Sequence, residues 1–399
     1  MFYIIGIGIN LFLILLLVSK KDKTLADRFL LVWLSTICLH LTLYVVSITL
    51  PEENYVSLFG VAPMLPLLHG PLLYLYTAAM TNMLPIKKGI WALHFIPAIL
   101  IFVLMIPFFL LPFQAKMSVI NSKGKGFEVQ SEFIKYLVLG SGVTYVTWIL
   151  ILLRRHKQNI KNQFSSDEKI KLDWLRYLVL GLGVVWVIVL LQAIIEKTLD
   201  EYIFGVVVLN VVVIGYFGIR QGRIYEVVGN SDDNYLPDIQ NTSGDHAIEK
   251  IFQKSGKGSI EDVVEVENVL LTDIPHKKKY AKSGLTEEAA AQLYTQLRDL
   301  MDREKIFTEP ELTLVMLAAK LSVHPNYLSQ VINEKENKSF YDYVNTLRVE
   351  EFKRIVKLPG NEKFTIMSLA YDCGFNSKSS FNKNFKKVTG LSPSEFLKK

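Results

Sequence analysis

The chain has 399 residues, half of them apolar, and a formal net charge of +6 at neutral pH. This composition is too apolar for an average soluble protein. The positive charge belongs mostly to loops between apolar segments, so it is not by itself evidence for nucleic-acid binding. The two cysteines, Cys38 and Cys373, lie in an apolar segment and in a C-terminal repeat. We interpret both as small buried thiols rather than as a disulfide.

Apolar segments long enough to cross a bilayer lie before about residue 220. A membrane-spanning helix needs about 20 apolar residues. Seven such segments are predicted, at 2–18, 29–50, 56–80, 91–113, 133–153, 174–195 and 202–219. Prolines interrupt the third and fourth segments, so these two have the least defined limits. The first segment has no basic stretch before it and no cleavage pattern after it, which indicates a retained span rather than a signal peptide.

Lysine and arginine are divided unevenly between the loops that join these segments. The loops after the first, third, fifth and seventh segments carry a basic set: Lys20, Lys21, Lys23, Arg28, Lys87, Lys88, Arg154, Arg155, Lys157, Lys161, Lys169, Lys171, Arg220 and Arg223. The opposite loops are less basic and include Glu52, Glu53 and Glu201. The positive-inside rule assigns the basic set to the cytoplasm. Seven crossings then put the N-terminus outside an inner membrane and everything after Arg223 inside the cell.

The apolar pattern stops at residue 224 and resumes near residue 286. Polar stretches at 229–234 and 241–245 are typical of flexible loops, and a weak alternation over 259–271 is compatible with a strand or with disorder. The lysines at 277–279 form either a solvated tether or a contact with phosphates or anionic lipid. The predicted organisation is a membrane domain over 1–223, a cytoplasmic linker over 224–285 and a C-terminal domain over 286–399.

One helix-turn-helix motif occurs twice in the last hundred residues. The two copies read Thr313-Leu314-x-x-Leu317-Ala318-x-x-Leu321-x-Val323 and Thr365-Ile366-x-x-Leu369-Ala370-x-x-Cys373-Gly374-Phe375. Each continues through a polar turn into a second short helix. The expected positions are about 312–335 and 365–388, and a bridging helix over 339–358 joins them. The predicted fold class is therefore all-α, with seven membrane helices followed by a doubled helix-turn-helix.

Capping residues stand at equivalent places in the two copies. Ser339 and Ser392 are each followed three residues later by an acid, so each serine is predicted to start a helix. Asn337 and Gly390 stand two residues before these serines. We expect both to adopt the left-handed conformation that ends the preceding helix. Phe375, Phe381 and Phe385 are predicted to lie in the core of the second copy.

These motifs make residues 286–399 resemble the AraC-type transcription regulators. The second copy carries the most specific phrase of that family, as Ile366-x-x-Leu369-Ala370-x-x-Cys373-Gly374-Phe375-x-Ser377-x-Ser379-x-Phe381-x-x-x-Phe385-Lys386-x-x-x-Gly390-x-Ser392-Pro393. The first copy matches at Leu317-Ala318, Tyr327-Leu328-Ser329 and Val331-Ile332-Asn333. It departs at Asn337, where the family often has glycine, and asparagine tolerates the same conformation.

The resemblance implies two recognition helices in successive major grooves, about 34 Å apart on one face of the duplex. The side chains implied to face base edges are Asn326, Ser329 and Gln330 in the first copy and Lys378, Ser379, Ser380, Asn382 and Lys383 in the second. Arg348, Lys386 and Lys387 are implied to bind phosphates, which fix register without reading sequence. Because the second copy is far more basic, we expect it to contribute most of the affinity.

Several polar side chains fall inside the predicted spans. They are His40, His69, His94, Asn10, Gln192 and Asn210. Ionisable groups in a membrane are costly and often functional, so the three histidines are weak candidates for a metal or proton site. None has the local spacing of a metal motif, and hydrogen bonding between helices is the simpler interpretation. No cofactor is implied.

The pattern as a whole favours a membrane-embedded transcription regulator that couples a membrane or external signal to promoter binding. Its expected partners are double-stranded DNA and the lipid bilayer, with a homodimer and an unknown small molecule as further candidates. Proteolytic release within the linker is an alternative route of transmission. One rival is a membrane enzyme, transporter or receptor with a protein-binding tail, but no catalytic cluster or nucleotide-binding loop supports an enzyme. The other rival is a tether that holds DNA non-specifically.

Overall fold

A computed structural model describes residues 1–233, except 88, 123, 167–171 and 196, and residues 285–398. The regular elements in this part of the chain are helices. The chain divides into two compact units, one formed by 1–158 with 170–226 and the other by 159–169 with 227–399. The predicted alternation over 259–271 and the lysines at 277–279 lie outside the described residues.

The first unit is built from helices α1 to α9, most of them apolar. Their bounds are α1 Phe2–Ser19, α2 Leu25–Thr49, α3 Pro66–Met80, α4 Gly89–Leu93, α5 Ile96–Phe109, α6 Phe113–Asn121, α7 Glu128–Gln163, α8 Asp173–Ile195 and α9 Asp200–Asp233. The last residues of α7 and α9 belong to the second unit. The prediction of several membrane-length apolar helices is confirmed.

The number of such helices differs from the predicted seven. Among the described residues, five helices are long and apolar enough to cross a membrane, and a sixth arises if α5 and α6, bent by 112°, count as one broken span. The predicted segment 56–80 is instead two short 3-10 turns followed by the 15-residue helix α3. Pro66 starts this helix and Pro71 lies within it. Proline lacks an N–H donor, which explains why one continuous helix does not form there.

The core of the first unit lies mainly between α1, α2, α3, α8 and α9. Leu34, Leu41 and Leu73 are fully buried there. The helix α2 begins at a capping box, in which Thr24 accepts from the amide of Asp27 and the carboxylate of Asp27 accepts from the amide of Thr24. Lys20 also pairs with Asp27 at 2.6 Å. This polar cluster fixes the start of α2 at the basic end that the loop charges predict to be cytoplasmic.

The second unit contains the doubled motif. Its helices are α10 Glu287–Glu304, α11 Leu314–Lys320, α12 Pro325–Glu336, α13 Phe340–Ile355, α14 Ile366–Asp372, α15 Lys378–Thr389 and α16 Pro393–Phe396. The first copy is α11 with α12, and the second copy is α14 with α15. The bridging helix α13 lies between them in the chain, as the sequence predicts.

Each copy has its own core, and α13 contributes to both. Phe340 and Val344, on the first half of α13, pack with Leu317 and Leu328 of the first copy. Val349 and Phe352, on its second half, pack with the second copy, which places Phe375, Phe381 and Phe385 in its core as predicted. Burying one such side chain contributes about 1.5–3 kcal/mol. The shared helix therefore holds two otherwise separate packing clusters together.

The predicted capping residues form the contacts expected of them. Two further caps, which were not predicted, are Thr313 and Thr365, at equivalent positions, which accept hydrogen bonds from the amides of Met316 and Ser368. Ser339 accepts from Asp342, and Ser392 forms a full capping box with Glu395. Asn337 and Gly390 are both left-handed, with φ of 52° and 77°. Local chemistry thus sets the same helix limits in both copies.

Candidate nucleic-acid interface and membrane-unit cavity

The helix α12, predicted to be the first recognition helix, presents a short polar face. His324 caps it by accepting from the amide of Asn326, whose side chain is exposed. Ser329 is half-buried, and its carbonyl accepts from Asn333 at 2.7 Å. Gln330 is 6% exposed, and its amide donates to Glu334 at 3.0 Å. Of the three side chains predicted to face bases, Asn326 is the most accessible.

The helix α15, predicted to be the second recognition helix, presents a longer and more basic face. Lys378, Ser379, Asn382 and Lys383 are exposed. Ser380 is 7% exposed and faces inward, where its hydroxyl lies 3.4 Å from the side-chain amide of Asn384. Four of the five side chains predicted to read bases are therefore on the outer surface of this helix.

The lysines of α15 also contact the bridging helix. Lys387 pairs with Asp342 at 2.6 Å, and both side chains remain partly exposed. The ammonium of Lys383 lies 5.6 Å from the centre of the Tyr341 ring. Lys386 is exposed. These contacts orient a basic edge while leaving it open to solvent, which suits electrostatic attraction to a phosphate backbone.

Arg348, predicted to bind a phosphate, is buried in this structure, with 1% of its surface exposed. Its guanidinium donates to the carbonyls of Phe307 at 2.6 Å and Glu309 at 2.7 Å. Burial lowers its pKa to about 10, so it stays charged at neutral pH. Through these buried hydrogen bonds, Arg348 links α13 to the residues that precede the first copy. To bind a phosphate, its side chain would have to leave this position.

The sequence of the C-terminal part of the chain matches known helix-turn-helix proteins. Residues 317–399 match a family model described as a helix-turn-helix domain. The second unit carries an AraC-type helix-turn-helix domain. The chain is 34% identical over 124 residues to the uncharacterised HTH-type transcriptional regulator YobQ of Bacillus subtilis, a match covering 27% of this chain and 50% of that protein.

Two further relatives carry similar names. The uncharacterised HTH-type transcriptional regulator YijO of Escherichia coli is 29% identical over 28% of this chain and 37% of its own length. The HTH-type transcriptional activator RhaS of Mannheimia succiniciproducens is 27% identical over 43% of this chain and 57% of its own length. The chain thus spans about half the length of these relatives or less. No solved structure matches it.

A cavity of about 410 Å³ lies inside the first unit. Its wall is largely apolar and aromatic, with Trp33, Tyr44, Phe204 and Trp186 among the rings that line it. Its polar lining consists mainly of His40, His69, Gln192, Asp200 and Asn210. Small-molecule sites are typically cavities of about 300–1,000 Å³ with apolar walls and a few polar groups. The cavity has the size and chemistry of such a site.

The structure brings two of the three candidate histidines together. His40 Nδ1 lies 3.0 Å from His69 Nε2, and the two rings are stacked. His94 instead bonds the hydroxyl of Tyr145 at 3.0 Å. In the part of the chain that the structure describes, no group of three or more potential ligands could hold a metal ion. The His40–His69 pair forms a hydrogen bond between α2 and α3 at the cavity wall.

Two features of these sites have no counterpart in the sequence pattern. The burial of Arg348 depends on carbonyls about forty residues away, and the cavity gathers residues from α2, α3, α8 and α9. The polar residues at its wall were visible in sequence only as isolated groups within apolar segments. Nothing in their spacing indicated that they would meet.

Proposed function

We propose that this chain is a membrane-embedded regulator of transcription that binds specific DNA sequences. The observation that carries the proposal is the pair of recognition helices, each with an exposed polar face and a core of its own, on one bridging helix. A tail that only bound protein would not need two such faces in equivalent positions. The apolar helices of the first unit supply the membrane part, and the loop charges favour an outside N-terminus and a cytoplasmic AraC-type domain.

Most of the proposed DNA contacts come from exposed side chains. Asn326, Ser329 and Gln330 approach bases in one major groove, and asparagine and glutamine can pair with adenine. In the next groove the contacts come from Lys378, Ser379, Ser380, Asn382 and Lys383, and lysine can donate to guanine. Lys386 and Lys387 bind phosphates. Gln330 and Ser380, which are buried, would have to turn outward, so we assign them the smallest share of the contacts.

The signal is proposed to be a small, largely apolar molecule with one hydrogen-bonding end. The cavity wall supports this class, because its rings would bury an apolar body and the His40–His69 pair would meet a hydroxyl or carbonyl. Native mass spectrometry of the full chain, released from its own membrane, tests the assignment. We expect a bound small molecule that is lost when Val185→Trp fills the cavity. Recovery of phospholipid alone, at equal occupancy in both proteins, would contradict it.

Selection of binding sites from random duplex DNA tests the DNA-binding function. The full chain in nanodiscs at moderate salt is expected to enrich two short sequence elements about one helical turn apart. Binding without an enriched sequence, weakening steeply as salt rises, would indicate a non-specific tether instead. Failure to bind DNA would favour a protein-binding tail on a transporter or receptor.

A further inference from the structure

A short segment that follows α7 is packed into the AraC-type domain. Phe164–Ser166 belongs to the second unit, although the chain on both sides of 159–169 belongs to the first. Ser165 is fully buried. Its amide donates to the carbonyl of Leu312 at 3.1 Å, and Phe164 forms an antiparallel bridge with Thr313. The segment thus pairs its backbone with the residues that begin the first copy.

The same segment is bound by the bridging helix. The carbonyl of Ser165 accepts from the side-chain amide of Asn345 at 2.9 Å, and its hydroxyl accepts from the guanidinium of Arg348 at 3.1 Å. Asn345 and Arg348 are each 1% exposed. Buried donors of this kind, one of them charged, are costly to leave unpaired. The bridging helix therefore needs an acceptor at this place, and Ser165 supplies two.

The segment also reaches the second copy. The hydroxyl of Ser166 accepts from the side-chain amide of Asn376 at 3.2 Å, and the same amide lies 3.1 Å from Glu311. Asn376 stands in the turn between α14 and α15. Three consecutive residues thus contact the start of the first copy, the bridging helix and the turn of the second copy.

We propose that Phe164–Ser166 is a docking segment through which the first unit controls how the two helix-turn-helix copies are held against the bridging helix. The proposal rests on the proposed DNA-binding function. The chain enters the segment from the first unit after Gln158 and returns to it at Ile170, so a change in the first unit can pull on both ends. Docking ties both copies to α13 and leaves Asn326, Lys378 and Asn382 exposed. The docked arrangement is therefore the one that binds DNA, because it prepares both faces before contact.

Undocking is the first test. Ser165 is fully buried, so Ser165→Trp introduces a side chain too large for the docked position. The substitution leaves the sequence of the AraC-type domain unchanged. Gln163→Trp is the matched control, because Gln163 is exposed two residues earlier. In nanodiscs, we expect Ser165→Trp to weaken binding to a selected two-element site about 10-fold, while binding to a duplex with one element scrambled stays within about 2-fold. Equal affinity of Ser165→Trp and the wild type for the two-element site would overturn the proposal.

Cross-linking is the second test and does not depend on DNA. In a Cys38→Ala background, Ser166→Cys with Asn376→Cys is expected to form a disulfide on mild oxidation, while Ser166→Cys with Asn382→Cys is not. Adding Ser165→Trp should prevent the bond. Absence of the bond in the first pair would overturn docking even if the protein binds DNA. Loss of DNA binding by the cross-linked protein would overturn the claim that the docked state is active, and retained binding would support it.

The two tests separate this inference from the function on which it rests. If the cross-link forms but the chain enriches no DNA sequence, the segment is docked and the proposed function is wrong. If the chain enriches two elements, but Ser165→Trp does not change its affinity and the cysteine pair forms no disulfide, the proposed function stands and the docking control fails.

Discussion

The two helix-turn-helix copies share one backbone plan and differ in the side chains placed on it. The first core is mainly aliphatic and includes Leu317 and Leu328. The second core is more aromatic, and the ring centres of Phe381 and Phe385 lie 5.5 Å apart in it. Where the second copy has glycine at 374 and 390, the first has Ser322 and Asn337, all with positive φ. The comparison shows that capping and turn geometry are held constant while core and surface vary.

The largest expected difference between the copies concerns their cores. Phe381→Ala should destabilise the second copy by about 3–5 kcal/mol, and Leu328→Ala the first by about 2–5 kcal/mol. Cys373, fully buried in the second core, provides a local probe, because burial raises the pKa of its thiol to about 12 and keeps it unreactive. In a Cys38→Ala background, maleimide labelling of Cys373 should accelerate far more in Phe381→Ala than in Leu328→Ala. Equal acceleration would mean that the copies open as one unit.

The next difference concerns the left-handed turn residues. A Cβ at Gly374 would lie 2.6 Å from the carbonyl oxygen of Thr308, so Gly374→Ala should cost more than the about 1–2 kcal/mol of the φ strain alone. Ser322, with φ of 55°, already bears that strain. Ser322→Gly should therefore raise the melting temperature of the full chain slightly, while Gly374→Ala lowers it. A loss of stability in Ser322→Gly would show that the serine side chain is needed for another reason.

The recognition faces should differ in how they bind DNA. The double variant Lys378→Ala with Lys383→Ala is expected to weaken binding to a selected site about 10–100-fold and to reduce the salt dependence by about two charges. Asn326→Ala with Ser329→Ala, which removes no charge, should weaken it less and leave the salt dependence unchanged. Affinity measured at several salt concentrations checks both. A larger loss from the neutral pair would reverse the expected order of the two copies.

The smallest expected effect depends on pH. Hydrogen bonds from Arg354 and Lys305 lower the pKa of Glu351, on the second half of α13, to about 2. Because this folded value lies below the unfolded one, the stabilisation is complete above about pH 4.5 and is lost as the pH falls toward 2. Thermal unfolding between pH 5 and 3 should show a shallower loss in Glu351→Gln than in the wild type. Glu350→Gln, at the exposed neighbouring position, should follow the wild type.

Local signals in the sequence accounted for most of the second unit. The caps at Ser339 and Ser392, the left-handed Asn337 and the inward-facing phenylalanines all follow from patterns a few residues long. Contacts between distant residues had no such signal. The hydrogen bonds between Ser165 and Arg348 join positions 183 residues apart. The pattern of apolar residues around either position does not indicate a contact with the other.

The membrane unit was predicted less completely for a related reason. Hydropathy measures how apolar a stretch is, and it does not report where a helix breaks within that stretch. The residues from 56 to 80 are apolar enough to span, yet they form short 3-10 turns followed by a helix that begins only at Pro66. The cavity was also not predicted, because residues from several separate helices and turns line it, and it is not a property of any one of them.

The length of the bridging helix sets the distance between the two helix-turn-helix copies. It has 16 residues, and an α-helix advances about 1.5 Å and turns about 100° with each residue. Adding or removing one residue would shift the second reading face only slightly along the axis, but would swing it away from the side of the duplex that the first face contacts. Substitutions on the exposed faces can therefore change which bases are read, while the distance between the two elements is inherited almost unchanged. Among the DNA sites of proteins with this domain, we expect the base sequence of the two elements to vary more than the distance between them.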